Sequence, residues 1–598
     1  MDSVHPSGSL RARYELPLEH YALIGDCRTA ALVSRDGAID WWCPDRSDRA
    51  AVFCRLLDVD QGGCLELGVT DCTATEQRYL GNTNVLETIF RGPAAAVRVT
   101  DFMPRREEGL SDSSRILRRI EGLEGSARVR LRFAPTFDFA QTAATLQPSP
   151  LGCIARGAGC TVHLECGRPL EVTDAEAYGD FALGPGESHW VSLSTRPLGG
   201  SDPLDLLRKT LSGWEAWASR GRYPGPYADV LRRSALTLKL LIHEPTGAVV
   251  ASPTTSLPET PGGVRNWDYR FAWLRDASWV VRALISLGYH QESMAFIDWL
   301  EQVRVHENPS IFYDLDGRVP DDERELWHLS GRQGAAPVRT GNRASVQDQH
   351  DIFGEVISAI HLCSEGMPSM RPLRPALWEM VSALTEYVID HWEHPDHGLW
   401  EQRDRRRQHL VSKLLCWVAV DRAIRLAERD GLPAPLDRWT TERSRIRETL
   451  LQQGYDDSLG AFRGALDEDT VDAGALLLVS TGFLPAADPR IAATVATLQR
   501  DLGAGRGLLR RYRGPDGLPG EEGAFAACSF WLVDVLARMG RRREARELFE
   551  AALAHASPLG LLSEEVDPST GALLGNYPQA FSHLALIRAG VKRLCSFR

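Results

Sequence analysis

The hydrophobic period of this chain changes once, near residue 226, and the change divides the polypeptide into two kinds of structure. Ahead of it, Ala127-Arg128-Val129-Arg130-Leu131-Arg132-Phe133 alternates apolar and charged residues, the pattern of a strand with one buried and one wet face. Val97-Arg98-Val99-Thr100 and His189-Trp190-Val191-Ser192-Leu193-Ser194 behave similarly, and Gly92-Pro93 and Gly184-Pro185-Gly186 supply turns. Short alternating strands between turn signals predict an N-terminal antiparallel β-sandwich, with its linker, over residues 1–215. Beyond the change, Ala277, Val280, Val281, Leu284 and Leu287 recur at helical spacing, and Gly288 follows as a C-terminal cap. The same period predicts helices near 226–243, 271–287, 291–305, 347–364, 372–391, 412–430, 437–454, 471–481, 488–502, 522–539, 541–556 and 576–590. Short connectors alternate with long ones at 306–346, 392–411, 503–521 and 557–575. An even number of antiparallel helices with this loop rhythm predicts a closed ring of helix pairs over 216–598, the long loops gathering at one end as the mouth of a pocket.

A chain of 598 residues exceeds one ordinary core of roughly 100–200 residues, so more than one domain is expected. Its 43% hydrophobic and 25% charged content is that of a soluble globular protein. A net charge of −12, with no dense basic run, disfavours nucleic acid or an anionic membrane as partner. No secretory leader is visible in Met1-Asp2-Ser3-Val4-His5-Pro6, and no apolar run reaches the ~20 residues of a membrane span. The 12 cysteines form no Cys-x-x-Cys pair and read as reduced, buried residues of a cytoplasmic protein.

Two glutamates stand out. Glu401, in Gly398-Leu399-Trp400-Glu401, and Glu564, in Leu562-Ser563-Glu564-Glu565-Val566-Asp567, fall in two of the long connectors. If those loops converge, the carboxyls flank one scissile bond, as glycoside hydrolysis requires: a protonated acid for the leaving oxygen and an ionised base for the attacking water. Shielding by Trp400 would favour a protonated Glu401, the general acid. The more polar surroundings of Glu564 would keep it ionised as general base. Arg275 and Asp276 open a helix and can grip vicinal hydroxyls, though a structural ion pair at a helix start explains them equally well. Trp267 and Trp273 offer apolar walls beside them.

Other signals carry less. His391, His394 and His397 straddle Pro395 and read as a solvated turn, so no metal is expected. Gly503-Ala504-Gly505-Arg506-Gly507 lacks the Gly-Lys-Ser/Thr of a phosphate loop, and no Gly-x-Ser-x-Gly supports serine catalysis. Arg541-Arg542-Arg543 reads as a solvated helix start, and Trp417 and Trp531 as core.

Taken in order, several segments resemble glycoside hydrolase family 15, the glucoamylase-like enzymes, particularly their two-domain bacterial and archaeal branch. They are Tyr21 to Val33, Asp36 to Trp41, Pro253 to Glu259, Arg265 to Ser278, Gln349 to Glu355, Gly517 to Phe525 and Asn576 to His583. The resemblance implies an (α/α)6 barrel behind the sandwich and hydrolysis of an α-glucoside with inversion. It implies Glu401 as acid, Glu564 as base, and Arg275 and Asp276 on the terminal glucose. Gln402, Arg511 and Glu522 would contact the leaving sugar, with Trp267, Trp273 and Trp400 around them. The chain departs from the usual pattern at Glu565, where Gln is common and whose charge would raise the pKa of Glu564. It also departs at Val411 and in the basic run Arg403 to Arg407. The expected substrate is a small α-glucoside, trehalose first and malto- or isomalto-oligosaccharides next. An inverting phosphorylase or a non-catalytic sugar-binding protein are the alternatives. No cofactor is required, and a homo-oligomer is possible.

Overall fold

The structure, a computed structural model, describes residues 15–592 apart from 106–112, 198, 200, 224, 307 and 308. Its N-terminal part is a pair of antiparallel sheets. One has seven strands in the order Tyr21–Gly25, Ala30–Ser34, Ile39–Trp42, Cys64–Val69, Ala127–Ala134, Ala177–Leu183 and Glu171–Val172. The other has eight, in the order Thr145–Ser149, Gly152–Gly157, Cys160–Glu165, Ser188–Ser194, Arg115–Glu124, Ala96–Phe102, Leu86–Arg91 and Ala74–Tyr79. Strand Ala127–Ala134 buries Ala127, Val129, Leu131 and Phe133 and turns the residues between them outward, as its alternation predicts. These side chains meet Val97, Ile116, Ile120 and Leu193 of the facing sheet in one core.

Strand Tyr21–Gly25 is buried along its whole length, because its two faces enter different cores. Ala22 and Ile24 join the sandwich interior, while Tyr21 and Leu23 join the apolar cluster of the helices. The seven-stranded sheet is thus docked on the helical part. Polar ties cross the same junction: the Trp41 indole donates to the carbonyl of Pro253 (2.8 Å) and the Tyr577 hydroxyl to that of Tyr21 (3.0 Å).

Thirteen α-helices follow among the described residues. α1 (Pro203–Ser219) precedes the first helix expected from periodicity, and its start is written in Asp202, whose carboxylate accepts from the Leu204 N–H, with Pro203 at the first turn. Then come α2 (Ala228–Leu240), α3 (Leu274–Leu287), α4 (His290–Val303), α5 (Asp351–Gly366), α6 (Pro375–His391) and α7 (Leu410–Asp430). The remainder are α8 (Leu436–Gln453), α9 (Leu477–Ser480, led in by a 3-10 turn at Ala473–Leu476), α10 (Pro489–Asp501), α11 (Ala526–Arg538), α12 (Arg542–Leu553) and α13 (Ala580–Lys592). All twelve segments expected to be helical are helical.

The helices close as a ring. α3 packs on α5, α5 on α7, α7 on the turn leading into α9, that turn and α9 on α11, α11 on α13, and α13 back on α3. α2, α4, α6, α8, α10 and α12 lie outside, each against an inner helix or, for α10, the turn before α9. Passing from an inner helix to the next outer one takes few residues, as between Leu287 and His290 or Arg538 and Arg542. Every passage from outer to inner is long, including two beyond those expected, from Leu240 to Leu274 and from Gln453 to Ala473. The long loops therefore all enter the N-terminal ends of the inner helices, where orphan N–H groups and helix dipoles point at whatever the loops enclose. No described helix is long and apolar enough to cross a membrane.

Replacing Trp41 by Phe keeps the ring but orphans the Pro253 carbonyl at the junction. The variant is expected to lose about 1–3 kcal/mol, read as a lower thermal unfolding midpoint with an unchanged far-UV spectrum.

Candidate active site

Glu401 sits in a loop with little freedom. Its backbone lies in the left-handed region (φ 57°), which a non-glycine residue enters only when its surroundings hold it there. Arg275, in the first turn of α3, does the holding: it donates to the Leu399 carbonyl (2.7 Å) and to Glu401 Oε1 (3.2 Å). The Trp273 indole donates to the same oxygen (2.8 Å), and its ring stacks on Phe312 at 4.3 Å. Arg275 Nε also reaches Asp276 Oδ2 (3.2 Å). Burial, with Glu401 nearby and against the pull of Arg275, pushes the Asp276 carboxyl up. The pair is both a helix-start ion pair and a bracket on the glutamate loop.

The indole beside Glu401 is therefore Trp273, whereas shielding was expected from Trp400. The Trp400 indole turns away and donates to both oxygens of Asp472 (3.0 and 2.8 Å), and its ring packs against Phe525 and Trp531. Asp472 also caps the turn before α9 by accepting from the Gly474 N–H (2.6 Å). Trp531, expected as core, is buried and packs against this wall.

Glu564 is 1% exposed, so the polar setting expected for it is made by buried groups and not by solvent. Its loop is clamped by two bonds to Asn576: the Glu564 N–H donates to the Asn576 carbonyl, and the Asn576 N–H donates to the side-chain Oε2 of Glu564, both at 3.1 Å. Burial, with Glu259 close by, pushes the Glu564 carboxyl well above the carboxylate range, while the Asn576 N–H and Arg511 pull it down.

From Asn576 a buried network runs outward. Its amide donates to the Trp267 carbonyl (2.9 Å), and the Trp267 indole donates to Glu259 (2.9 Å). Arg511 reaches Glu259 at 3.4 Å and grips Glu522 through Nε (2.7 Å) and Nη2 (2.5 Å). The Arg511 guanidinium also faces the Trp400 ring at 5.7 Å. Trp267 is less an open apolar wall than a plate between cations, with Arg403 at 3.9 Å and Arg339 at 5.0 Å from its ring. Gln402 lies in other company: its amide oxygen accepts from Arg407, and it lines a cavity of about 190 Å³ with Arg405, His409 and Glu468.

Tyr269 is partly buried, and the charges of both glutamates act on it. Its ring stands edge-on to Trp273 at 5.1 Å, and burial together with the charges of Glu564 and Glu401 pushes its phenol well up. Nothing in the sequence alone marks a role for Tyr269, Glu259, Asp472 or Asn576. Glu259 and Asn576 lie in segments that carried the resemblance, but nothing in their spacing marks them as partners of Glu564. Asp351, first residue of α5, belongs here too: burial, against Arg275, raises its carboxyl to about 6.

Among the described residues one acidic set is close enough to surround a cation, Glu259, Glu522 and Glu565, with oxygens within 4.8 Å of one another. Arg511 already supplies positive charge to two of the three.

A two-sheet domain docked on a helix ring, with buried carboxyls on loops at the N-terminal ends of the inner helices, defines the class of molecule. The family model for glycosyl hydrolases family 15 matches residues 225–591, and a model described as trehalase-like, N-terminal, matches residues 9–174. The chain belongs to glycosyl hydrolases family 15 and is a glycoside hydrolase. It is 35% identical over 584 residues to a trehalase of Thermoplasma volcanium, covering 96% of this chain and 93% of the relative. It is 36% identical over 612 residues to a trehalase of Mycolicibacterium smegmatis, covering 96% and 91%. A crystal structure of a bacterial glucoamylase complexed with acarbose shares the fold, with a TM-score of 0.71 at 13% identity over 98% of this chain and 96% of that one.

Gly575 (φ 70°) tests how tightly Glu564 is seated, because an added Cβ would lie 2.6 Å from Glu564 Oε2 and 2.7 Å from its Cβ. Gly575→Ala is expected to lower kcat by about 100-fold while the protein remains folded, measured by steady-state hydrolysis and circular dichroism.

Proposed function

We propose that the chain is an inverting, exo-acting hydrolase of trehalose, with Glu401 as general acid and Glu564 as general base. The observation that supports the assignment is the convergence of Arg275 and Trp273 on one oxygen of Glu401, beside Asp276, with a second buried glutamate, Glu564, on another loop at the same end of the ring. Glu401 Oε1 accepts from Trp273 and Arg275, so a proton on its other oxygen is free to pass to the glycosidic oxygen. Glu564, raised by burial, gains driving force to take a proton from water, and that water attacks the anomeric carbon from the face opposite the leaving group. Arg275 and Asp276 would hold the hydroxyls of the terminal glucose, and Arg511 and Glu522 those of the leaving sugar. Trehalose is favoured over longer glucans by the two relatives named above, each a trehalase matched over nearly its whole length. The cysteines among the described residues are unpaired and mostly buried, which suits a reducing cytoplasm.

Glu401→Gln and Glu564→Gln are each expected to lose at least ~100-fold in kcat while still binding sugar by calorimetry. Unchanged turnover in either removes that residue from its role. With a raised base, kcat/KM should fall on the acid side with a midpoint above the ~4.3 of an ordinary glutamate, since the protonated base cannot activate water. In a panel of α-linked glucobioses followed by NMR, trehalose should be cleaved fastest, giving one β- and one α-glucose per turnover. Release of glucose from maltose or isomaltose but not trehalose would replace the substrate.

A further inference from the structure

Glu565, the residue after the proposed base, opens the short strand Glu565–Val566 between Ala524–Phe525 and Leu573–Leu574. Its side chain is fully buried. Oε2 accepts from the Gly523 N–H (2.8 Å), and Oε1 has no hydrogen-bond partner among the described residues. The groups that face it are mostly acids. Glu259 and Glu522 each bring a carboxylate oxygen within 4.8 Å, and Glu564 precedes it in the chain. The cations nearby are committed elsewhere: Arg511 bonds Glu522 and Glu259, and Arg265 forks onto Asp516 (2.7 and 2.9 Å) and touches Glu522 at 3.4 Å. Arg510 gives its Nη1 to the Glu522 carbonyl (2.6 Å). From α11 the neighbour is the buried thiol of Cys528, which adds no positive charge.

Buried Glu259 and partly buried Glu522 thus draw on Arg511, with Arg265 touching Glu522 as well, while Glu565 has no ion pair among the described residues and one bare oxygen. An ionised carboxylate there would be desolvated, unpaired and repelled from two sides. A carboxylic acid would instead have a proton to give and two carboxylates to receive it.

We propose that Glu565 is a neutral carboxylic acid in the working enzyme, donating the proton on Oε1 to the Glu259–Glu522 pair, and that it serves as a positioning residue for Arg511 and Glu564. The donated bond holds Glu259 against the Trp267 indole and keeps Arg511 on Glu522, so the base sees a fixed set of neighbours. Burial and the charges of Glu259 and Glu522 push the Glu565 carboxyl well above the carboxylate range, in the same sense. Glu565 therefore contributes no charge to Glu564, contrary to the expectation from sequence; the buried neighbour that raises Glu564 most is Glu259. The effect on rate rests on Glu564 being the base, whereas the protonation itself does not.

The test compares the full-length wild type with E565Q and E565A. Infrared difference spectra of wild type minus E565Q at neutral pH should contain a carboxylic-acid C=O band that shifts in D2O; a carboxylate band in its place overturns the proposal. E565Q should keep kcat close to wild type and leave the acid limb of kcat/KM where it is, because one neutral group replaces another. An acid limb lowered by about one unit or more would mean that a negative charge had been removed, and would overturn it. E565A should lose about 100-fold in kcat, and activity equal to E565Q would deny the positioning role. An unfolded E565Q also counts against the proposal, since an amide of the same shape would then fail to stand in for a neutral acid. Metal analysis of the wild type supplies an independent check: a stoichiometric divalent cation absent from E565Q would mean that the three acids hold a metal, not a proton. Should Glu564→Gln remain active, the infrared result still decides the state of Glu565.

Discussion

The grip of Arg275 on the loop ahead of α7 is the interaction on which the site depends. One guanidinium, fixed in the first turn of α3, holds the Leu399 carbonyl, Glu401 and Asp276 together. The loop it holds runs through a backbone conformation that residues other than glycine avoid. Without that anchor the acid would have neither its orientation nor its partner from Trp273. The closed ring makes the anchor effective, because α3 and α7 are held apart by α5 and cannot drift relative to one another.

Around this anchor the pocket is an exercise in managing negative charge. Glu259, Glu522, Glu564 and Glu565 converge with few cations between them, and each arginine serves more than one acid. Such a grouping is costly in a buried place, and proteins retain it where protons must be held or moved. The indole donors follow the same logic. Trp267, Trp273 and Trp400 each spend their N–H on a carboxylate, so the aromatic lining also carries the hydrogen-bonding scaffold.

Much of this was legible in the sequence. The switch from period two to period 3.6 located both parts and all twelve ring helices, because amphipathic elements must declare the face they bury. The helix at Pro203–Ser219 escaped, although Asp202-Pro203 marks its start, since its buried positions Leu206, Leu207, Thr210, Trp214 and Trp217 are spread among charges. At the site, Arg275 bonds Glu401, and Arg511 bonds Glu259 and Glu522. The partner of Glu401 differs from the one expected: adjacency in the chain suggested Trp400, but Glu401 itself is left-handed, and the two side chains go to different neighbours. Glu259 and Asn576 could not be read at all, because pairing across 305 residues (Glu259 to Glu564) and 309 residues (Trp267 to Asn576) is a property of ring closure. The resemblance put Gln402 on the leaving sugar; in the structure its amide oxygen accepts from Arg407.

The burial of strand Tyr21–Gly25 on both faces has a consequence for how this architecture can be built and altered. Its sheet is at once the inner leaf of one core and the outer lining of another, so neither part owns the surface between them. The helical ring made alone would present a bare apolar flank to water, a surface of the kind that drives association with other chains. The two parts are therefore bound to a common fate during synthesis: the sheet, emerging first, must wait with one face uncovered until Tyr577, near the far end of the chain, arrives to bond the carbonyl of Tyr21.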